Sequence, residues 1–155
     1  ALRRKAGTRR AGGKASLQVG GDFPSPDDDV YNVVVRNIKA RCSGGHGIVR
    51  LLAQDGIKMH HVIVSNVVDT TDVAKGEPRC RATIRIGDTR FWSLRRNEPD
   101  EMHHITVRDV AAAGCAAVWI EGPLVDSSVT EIRCLAGGKK YEVTAPIARV
   151  DRDPE

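Results

Sequence analysis

The chain has 155 residues, enough for one domain with a buried core, and its 41% hydrophobic content with only 4% aromatic residues predicts a core of Val, Ile, Leu and Ala. The formal net charge is +4, but six basic residues lie within residues 1–14 with no acidic residue, so the remainder is slightly acidic. We expect 1–14 to be a flexible basic arm. Nucleic acid is not an expected partner, because no helix follows the arm and no aromatic residues are interleaved with it. No membrane is expected either, because no apolar run approaches the ~18 residues that span one.

A short phrase recurs along the chain: a turn of small residues, a polar residue, and a β-rich run that ends at Gly or an acid. Its five copies are residues 11–22, 43–56, 77–88, 112–122 and 135–143. A second phrase, Val-x-x-Val/Ile, lies between them at 31–38, 60–67, 103–110 and, more weakly, 130–135. Two strand-like runs per repeat are typical of a solenoid. We therefore predict an all-β fold of parallel sheets, about five coils, over residues 15–150, with a tail at 151–155.

Within this frame, the first strand is expected at 15–19 and a loop at Asp22–Asp29. Polar insertions are expected at 69–79 and at 88–101. Apolar residues that alternate along both phrases should stack into interior ladders. The predicted ladders are Leu17/Val19 with Val49/Leu51, Ile84/Ile86 and Val118/Ile120, and Val33/Val35 with Val62/Val64 and Ile105/Val107.

Asn32, His61 and His104 should fall in one row, each ahead of the second phrase. Asn side chains stacked along a solenoid satisfy one another's amides, and His can take their place. A metal site made from the two His-His pairs is the alternative, but it needs nearby carboxylates that the sequence does not obviously supply. We therefore predict no metal and no cofactor.

The four cysteines are Cys42, Cys80, Cys115 and Cys134, and none forms a CxxC pair. We expect reduced thiols that pack as small apolar residues. A disulfide between neighbouring coils is the alternative.

Four acidic residues lie where the second strand of a coil is expected to end, and they could form one vertical row. They are Asp22, Asp55, Asp88 and Glu121. Carboxylates at the spacing of stacked strands could serve sugar hydrolysis, whereas Asp is also a common turn residue. Trp92, in an insertion, and Trp119, expected to point outward, are candidates for stacking against sugar rings.

The repeat pattern resembles the right-handed parallel β-helix of pectate lyases and polygalacturonases. Residues 42–48, CSGGHGI, are similar to the CSGGHG(L/I) motif of glycoside hydrolase family 28. Ile84-Arg85-Ile86, one coil later, is similar to the start of that family's RIK motif, although Gly87 replaces the lysine. The resemblance implies that His46 orients or tunes catalytic carboxylates and that Arg85 binds a sugar acid or hydroxyl. It also favours an extracellular or periplasmic setting.

Two functions follow as expectations. The first is a carbohydrate-active protein similar to family 28, an inverting polysaccharide glycosidase if it is an enzyme. The second is a non-catalytic β-helix module that binds glycan or assembles with other chains. The row of His46 offers Lys14 rather than an acidic pair in the preceding coil, which keeps the second open. Expected partners are a polysaccharide or oligosaccharide, and a second copy or adjoining chain that caps the open coils. The candidate site residues are His46, Asp55 and Asp88 for catalysis, and Arg50, Arg85, Trp92 and Trp119 for substrate binding.

Overall fold

A computed structural model describes residues 17–20, 29–42, 46–87 and 96–155. Within these ranges the chain forms ten β-strands in two five-stranded sheets, and every strand pairing is parallel. The predicted all-β, parallel character is confirmed. The described part contains one short 3-10 helix, Val73–Lys75, inside the predicted 69–79 insertion. No helix in these ranges is long and apolar enough to cross a membrane.

The odd-numbered strands form one sheet, here called the odd sheet, in the order β1-β3-β5-β7-β9. Its strands are β1 (Leu17–Gly20), β3 (Val49–Leu52), β5 (Ala82–Gly87), β7 (Ala116–Ile120) and β9 (Lys139–Val143). The register joins Leu17 to Val49, Val49 to Ile84 and Ile84 to Val118, so the predicted apolar ladder of this sheet is confirmed.

The even-numbered strands form the second sheet, here called the even sheet, in the order β2-β4-β6-β8-β10. Its strands are β2 (Asp29–Ala40), β4 (Lys58–Asp69), β6 (Met102–Ala112), β8 (Leu124–Cys134) and β10 (Ile147–Arg152). Val35 pairs with Val64, which pairs with Val107, and this predicted ladder is also confirmed. β10 continues to Arg152, so the sheet reaches into the predicted tail at 151–155.

Left-handed residues interrupt the alternation inside the even strands. In β4, His61 has φ 53° and Asn66 has φ 52°. Each adds one residue to the outward side, so His60 and His61 both point away from the core, whereas Met59 and Val62 are fully buried. Asn and Asp tolerate this conformation better than most residues, which explains the polar residue that begins the second phrase. The asparagine ladder itself lies five residues after the expected row, where Asn66 Nδ2 donates to Asn37 Oδ1 at 2.9 Å.

The core lies between the two sheets and consists almost entirely of aliphatic side chains, as the composition predicts. Leu51, Ile84, Ile105 and Ile120 are completely buried. At about 25 cal/mol per Å² of apolar surface removed from water, this stacking supplies the main driving force for folding.

The expectation of reduced cysteines is wrong for two of the four. Cys42, after β2, and Cys80, before β5, form a disulfide with a Cα–Cα distance of 5.6 Å. Cys115 and Cys134 are free thiols. The two bonded cysteines meet because the 69–79 segment returns the chain to the end of β2, where Cys42 N–H donates to Thr71 Oγ1 at 2.9 Å.

A buried carboxylate fixes the same corner. Asp69 is 1% exposed and accepts hydrogen bonds from Thr71 Oγ1 at 2.6 Å, from Thr83 Oγ1 at 2.9 Å and from Ala113 N–H at 3.3 Å. A buried carboxylate is tolerated only when its oxygens are bonded in this way. Asp69 therefore holds three successive strands in place around the disulfide.

Candidate functional site

The odd sheet carries one outward row of polar and aromatic side chains. The register aligns Gln18 with Arg50, Arg50 with Arg85, Arg85 with Trp119, and Trp119 with Glu142. These residues alternate with the apolar ladder, so strand periodicity alone places them on the outer face. The predicted outward position of Trp119 agrees with its partial exposure.

His46 lies beside this row and contacts two of its members. Its Nδ1 is 3.1 Å from Arg85 Nη1 and 3.4 Å from Arg50 Nη1. Guanidinium groups can only donate, so Nδ1 of His46 accepts and its ring proton lies on Nε2. Gly47, at φ 89°, follows directly, and a Cβ there would lie 2.5 Å from the Ala82 carbonyl oxygen. The turn that holds His46 therefore requires glycine at this position.

Arg85 forms a buried two-point ion pair with Glu121. Arg85 Nε is 3.0 Å from Glu121 Oε1, and Arg85 Nη2 is 2.6 Å from Oε2. The two side chains are only 10% and 9% exposed. Paired guanidinium and carboxylate groups in this geometry fix each other's orientation, so the Glu121 carboxylate is a partner of Arg85.

Trp119 lies under two guanidinium groups. The Cζ atoms of Arg81 and Arg85 are 3.9 Å and 4.6 Å from the indole ring centroid. The indole N–H donates to Thr144 Oγ1 at 2.8 Å. Cation–π contacts of this kind hold the ring and the cations together. Arg81 also donates to Glu142 at 3.0 Å. We call the cluster of Arg81, Arg85, Trp119, Glu142 and Thr144 the Arg-Trp face.

The structure brings together four of the candidate site residues: His46, Arg50, Arg85 and Trp119. It places Asp55 elsewhere, in the turn after β3, with φ 53°. Glu121 follows Ile120, which aligns with Ile86 and then Leu51, so Asp55 lies further along its own repeat. The expected acidic row therefore does not include both Asp55 and Glu121. Asp22, Asp88 and Trp92 lie outside the described residues.

Three members of the Arg-Trp face were not among the candidates: Arg81, Glu142 and Thr144. Glu142 could have been found, because alternation along residues 139–143 points it outward in the row of Trp119. Arg81 precedes its strand and Thr144 follows its strand. Strand periodicity therefore gives no signal for either residue.

The outward face of the even sheet carries a different cluster, the two histidine pairs. The pairs are His60 with His61 and His103 with His104. Their Nδ1–Nδ1 distances are 2.8 Å and 2.7 Å. Between the strands, His60 stacks on His103 at 5.0 Å and His61 stacks on His104 at 4.8 Å. Tyr31 extends the first stack, with its ring centroid 5.3 Å from that of His60.

Charged groups surround the histidine pairs. His60 Nε2 is 3.9 Å from Asp29 Oδ2. Asp126, near His103 and His104, is bonded to Arg149 through two contacts. Burial lowers the pKa of His103, and the neighbouring histidines lower it further. The neutral imidazole is therefore favoured there at neutral pH.

An open groove of about 630 Å³ runs beside the pairs. Its lining includes the left-handed row and the outward row next to it: Asn32, Val34, His61, Ile63, His104, Thr106, Asp126, Ser127 and Ser128. In the described ranges, no group of three or more His, Cys, Asp or Glu side chains is arranged to hold a metal ion.

No family model matches the chain, and no curated protein and no solved structure matches it either. The class of this protein is therefore defined by its fold alone: an all-β chain of two parallel sheets. The Arg-Trp face lies on the outer side of the odd sheet, and the histidine pairs lie on the outer side of the even sheet.

Proposed function

We propose that this chain is a right-handed parallel β-helix that binds an acidic polysaccharide on the Arg-Trp face. The winding is supported by the strand order, because successive strands alternate between the sheets and each pairs in parallel with the strand two elements later. That is the order expected of a chain that advances by one strand spacing per coil.

The observation that carries the binding proposal is the exposed Arg81 guanidinium, 3.9 Å from the ring centroid of Trp119 in the outward row. Sugar rings stack on indole faces, and guanidinium groups match carboxylates in a two-point geometry. A polymer of uronic acids offers both groups at every repeat. Polymer laid along the row would meet a new strand about every 4.8 Å.

Arg50 and Arg85 are buried, whereas the side chain of Arg81 is 56% exposed. Its partner Glu142 is separated from it by 3.0 Å. The pair lies at the surface, with the Glu142 side chain 20% exposed, so a uronate carboxylate would compete with Glu142 for the Arg81 guanidinium. Lys139, 59% exposed and 3.8 Å from Glu142, adds a second cation at the same place. The buried pair with Glu121 holds the Arg85 guanidinium against the ring of Trp119.

The disulfide between Cys42 and Cys80 supports an extracellular or periplasmic setting, because structural disulfides persist in oxidising compartments. Acidic polysaccharides are met there as matrix and surface polymers.

Binding to polygalacturonate, measured by affinity electrophoresis with neutral dextran as comparison, tests the proposal. We expect retardation by polygalacturonate only, weakening as salt is raised, and at least a tenfold loss of affinity in Arg81→Ala and in Trp119→Ala. Arg108→Ala is the matched control, because Arg108 is an exposed arginine on the even sheet. Equal losses in Arg81→Ala and Arg108→Ala would show unspecific charge attraction and reject the site.

A second candidate function, polysaccharide hydrolysis similar to that of family 28, is favoured by one contact. His46 of the CSGGHGI segment and Arg85 of the second motif are 3.1 Å apart although 39 residues separate them in sequence. Hydrolysis would require carboxylates, and Asp88 remains the candidate from the sequence, because Asp55 lies elsewhere, in the turn after β3. Reducing-sugar release lost in His46→Ala and in Asp88→Asn, with binding retained, would establish the enzyme. Polysaccharide binding without any sugar release would support the non-catalytic binding module.

A further inference from the structure

The histidine pairs have no role in the proposed function, yet they contain four of the five histidines of the chain. Their placement follows from the backbone. His61 and His104 have φ 53° and 52°, which turns both members of each pair to the outer face. Two consecutive imidazoles then converge instead of pointing to opposite sides of the sheet, as consecutive strand residues ordinarily do.

The two hydrogen-bonded Nδ1 atoms of each pair are close enough to ligate one metal ion. Metal–nitrogen bonds to imidazole are about 2.0–2.1 Å long. Two Nδ1 atoms 2.7–2.8 Å apart would therefore subtend an angle of about 80–90° at a shared metal ion. That angle belongs to neighbouring corners of a square-planar or tetragonal site, whereas tetrahedral Zn²⁺ needs about 109°. Nitrogen ligands in tetragonal geometry are typical of Cu²⁺.

We propose that the histidine pairs bind Cu²⁺, each pair supplying two Nδ1 ligands at neighbouring corners of the coordination plane. Water fills the other positions, which is consistent with the exposure of His61 and His104 on the open groove. In the metal-free pair one Nδ1–H donates to the other Nδ1. Binding requires the donating ring to change tautomer, so that its proton moves to Nε2 and both neutral imidazoles present a lone pair at Nδ1.

One feature beside the pairs supports a first cation, and another disfavours a second. Asp29 Oδ2 lies 3.9 Å from His60 Nε2, and a carboxylate next to the far nitrogen of a ligating imidazole orients the ring and raises its basicity. The stacked rings of the two pairs are 4.8–5.0 Å apart. Two divalent ions at that separation repel each other, so the first Cu²⁺ should bind more tightly than the second.

The test is titration of the full chain with Cu²⁺ against glycine as competing chelator, read by electron paramagnetic resonance. We expect a first ion bound with a micromolar or lower Kd, with hyperfine splitting from two nitrogens. The double variant His61→Asn/His104→Asn should bind at least tenfold more weakly and lose that splitting. Asn is the suitable replacement, because Asn32 adopts the same left-handed conformation at φ 54°, so the strands should remain folded by circular dichroism.

His46→Asn is the matched control and should leave Cu²⁺ binding unchanged, because it removes the one histidine outside the pairs. An unchanged affinity in the double variant, or an equal loss in His46→Asn, would overturn the proposal. No binding in competition with glycine would also overturn it, leaving the pairs as hydrogen-bonded stacks. If Zn²⁺ bound as tightly as Cu²⁺, the proposed tetragonal geometry would be wrong.

Discussion

The outer faces of both sheets stack polar side chains at the spacing of parallel strands. The two faces do so with different side chains. On the odd sheet the row changes identity from strand to strand, from Arg50 to Arg85 to Trp119. His46 contacts both arginines, and a cation–π contact joins Arg85 to Trp119. On the even sheet two neighbouring strands, β4 and β6, repeat the same side chain, with His60 on His103 and His61 on His104. Contacts between unlike side chains hold the first face together, whereas stacking of like side chains holds the second.

Backbone conformation accounts for the difference. Among the described residues, every non-glycine residue with positive φ except Asp55 lies inside an even strand. Such positions favour a small set of residue types, so the same types recur there. The odd strands are extended between their ends, and any outward residue is allowed. The odd face could therefore accumulate charge pairs, of which the buried Arg85–Glu121 pair is costly to break, whereas the even face depends on local conformation.

Removal of Glu121 should give the largest effect on stability. Glu121→Ala leaves the Arg85 guanidinium, 10% exposed, without its buried carboxylate. Breaking a buried pair by deleting one partner costs about 3–5 kcal/mol, and we expect a loss near the lower value because His46 and Trp119 still contact Arg85. The free energy of unfolding is measured in urea, with far-UV circular dichroism as the signal.

The matched control is Asp126→Asn on the even face. Asp126 pairs with Arg149 through two contacts, as Glu121 does with Arg85, but that pair is exposed. Asn also accepts the left-handed φ of 47° at this position. The control should change stability little. Similar losses in both variants would contradict the distinction between the faces.

A β-branched residue at a left-handed position should give the next largest effect. His61→Val places a β-branched side chain at φ 53°, which we expect to cost about 1–3 kcal/mol of strain. His61→Asn keeps a tolerated residue there and should cost much less. Ile63→Val, an exposed change at an extended position in the same strand, is a second control. Thermal unfolding followed by circular dichroism ranks the three variants, and a His61→Val variant as stable as the His61→Asn variant would contradict the role of φ.

The sequence alone was enough to predict the ladders and the parallel pairing. Val62 and Val64 could be placed because repeats of nearly constant length stack equivalent residues, and strand alternation then decides which side faces the core. The row of His61 and His104 was predictable for the same reason.

Other features depend on where the chain turns, which the repeat does not specify. Cys42 and Cys80 lie just outside their strands, and their meeting depends on the path of the 69–79 segment. Asp55 is three residues past the end of β3, whereas Glu121 directly follows β7, so the apparent acidic row is lost in turns of unequal length. In the even strands a residue with left-handed φ makes two consecutive side chains point outward, and this conformation is a property of the backbone. Residue types indicate it only weakly.

The smallest effect is expected just beyond the last strand of the even sheet, at Asp153. Beyond β10, Asp153 accepts hydrogen bonds from the Ile132 and Glu131 N–H groups of β8, at 2.7 Å and 3.0 Å. These bonds, chiefly that from Ile132, hold the pKa of Asp153 below its ordinary value of 3.8. A carboxylate with a lowered folded-state pKa adds stability that is present above its unfolded-state pKa and is lost as the pH falls through the folded-state value. Asp153→Asn should therefore be slightly less stable than the parent chain at neutral pH. Urea unfolding of both proteins across the acid range should show this gap closing only below about pH 4, and a gap that stays constant with pH would mean that Asp153 acts through packing and not through its charge.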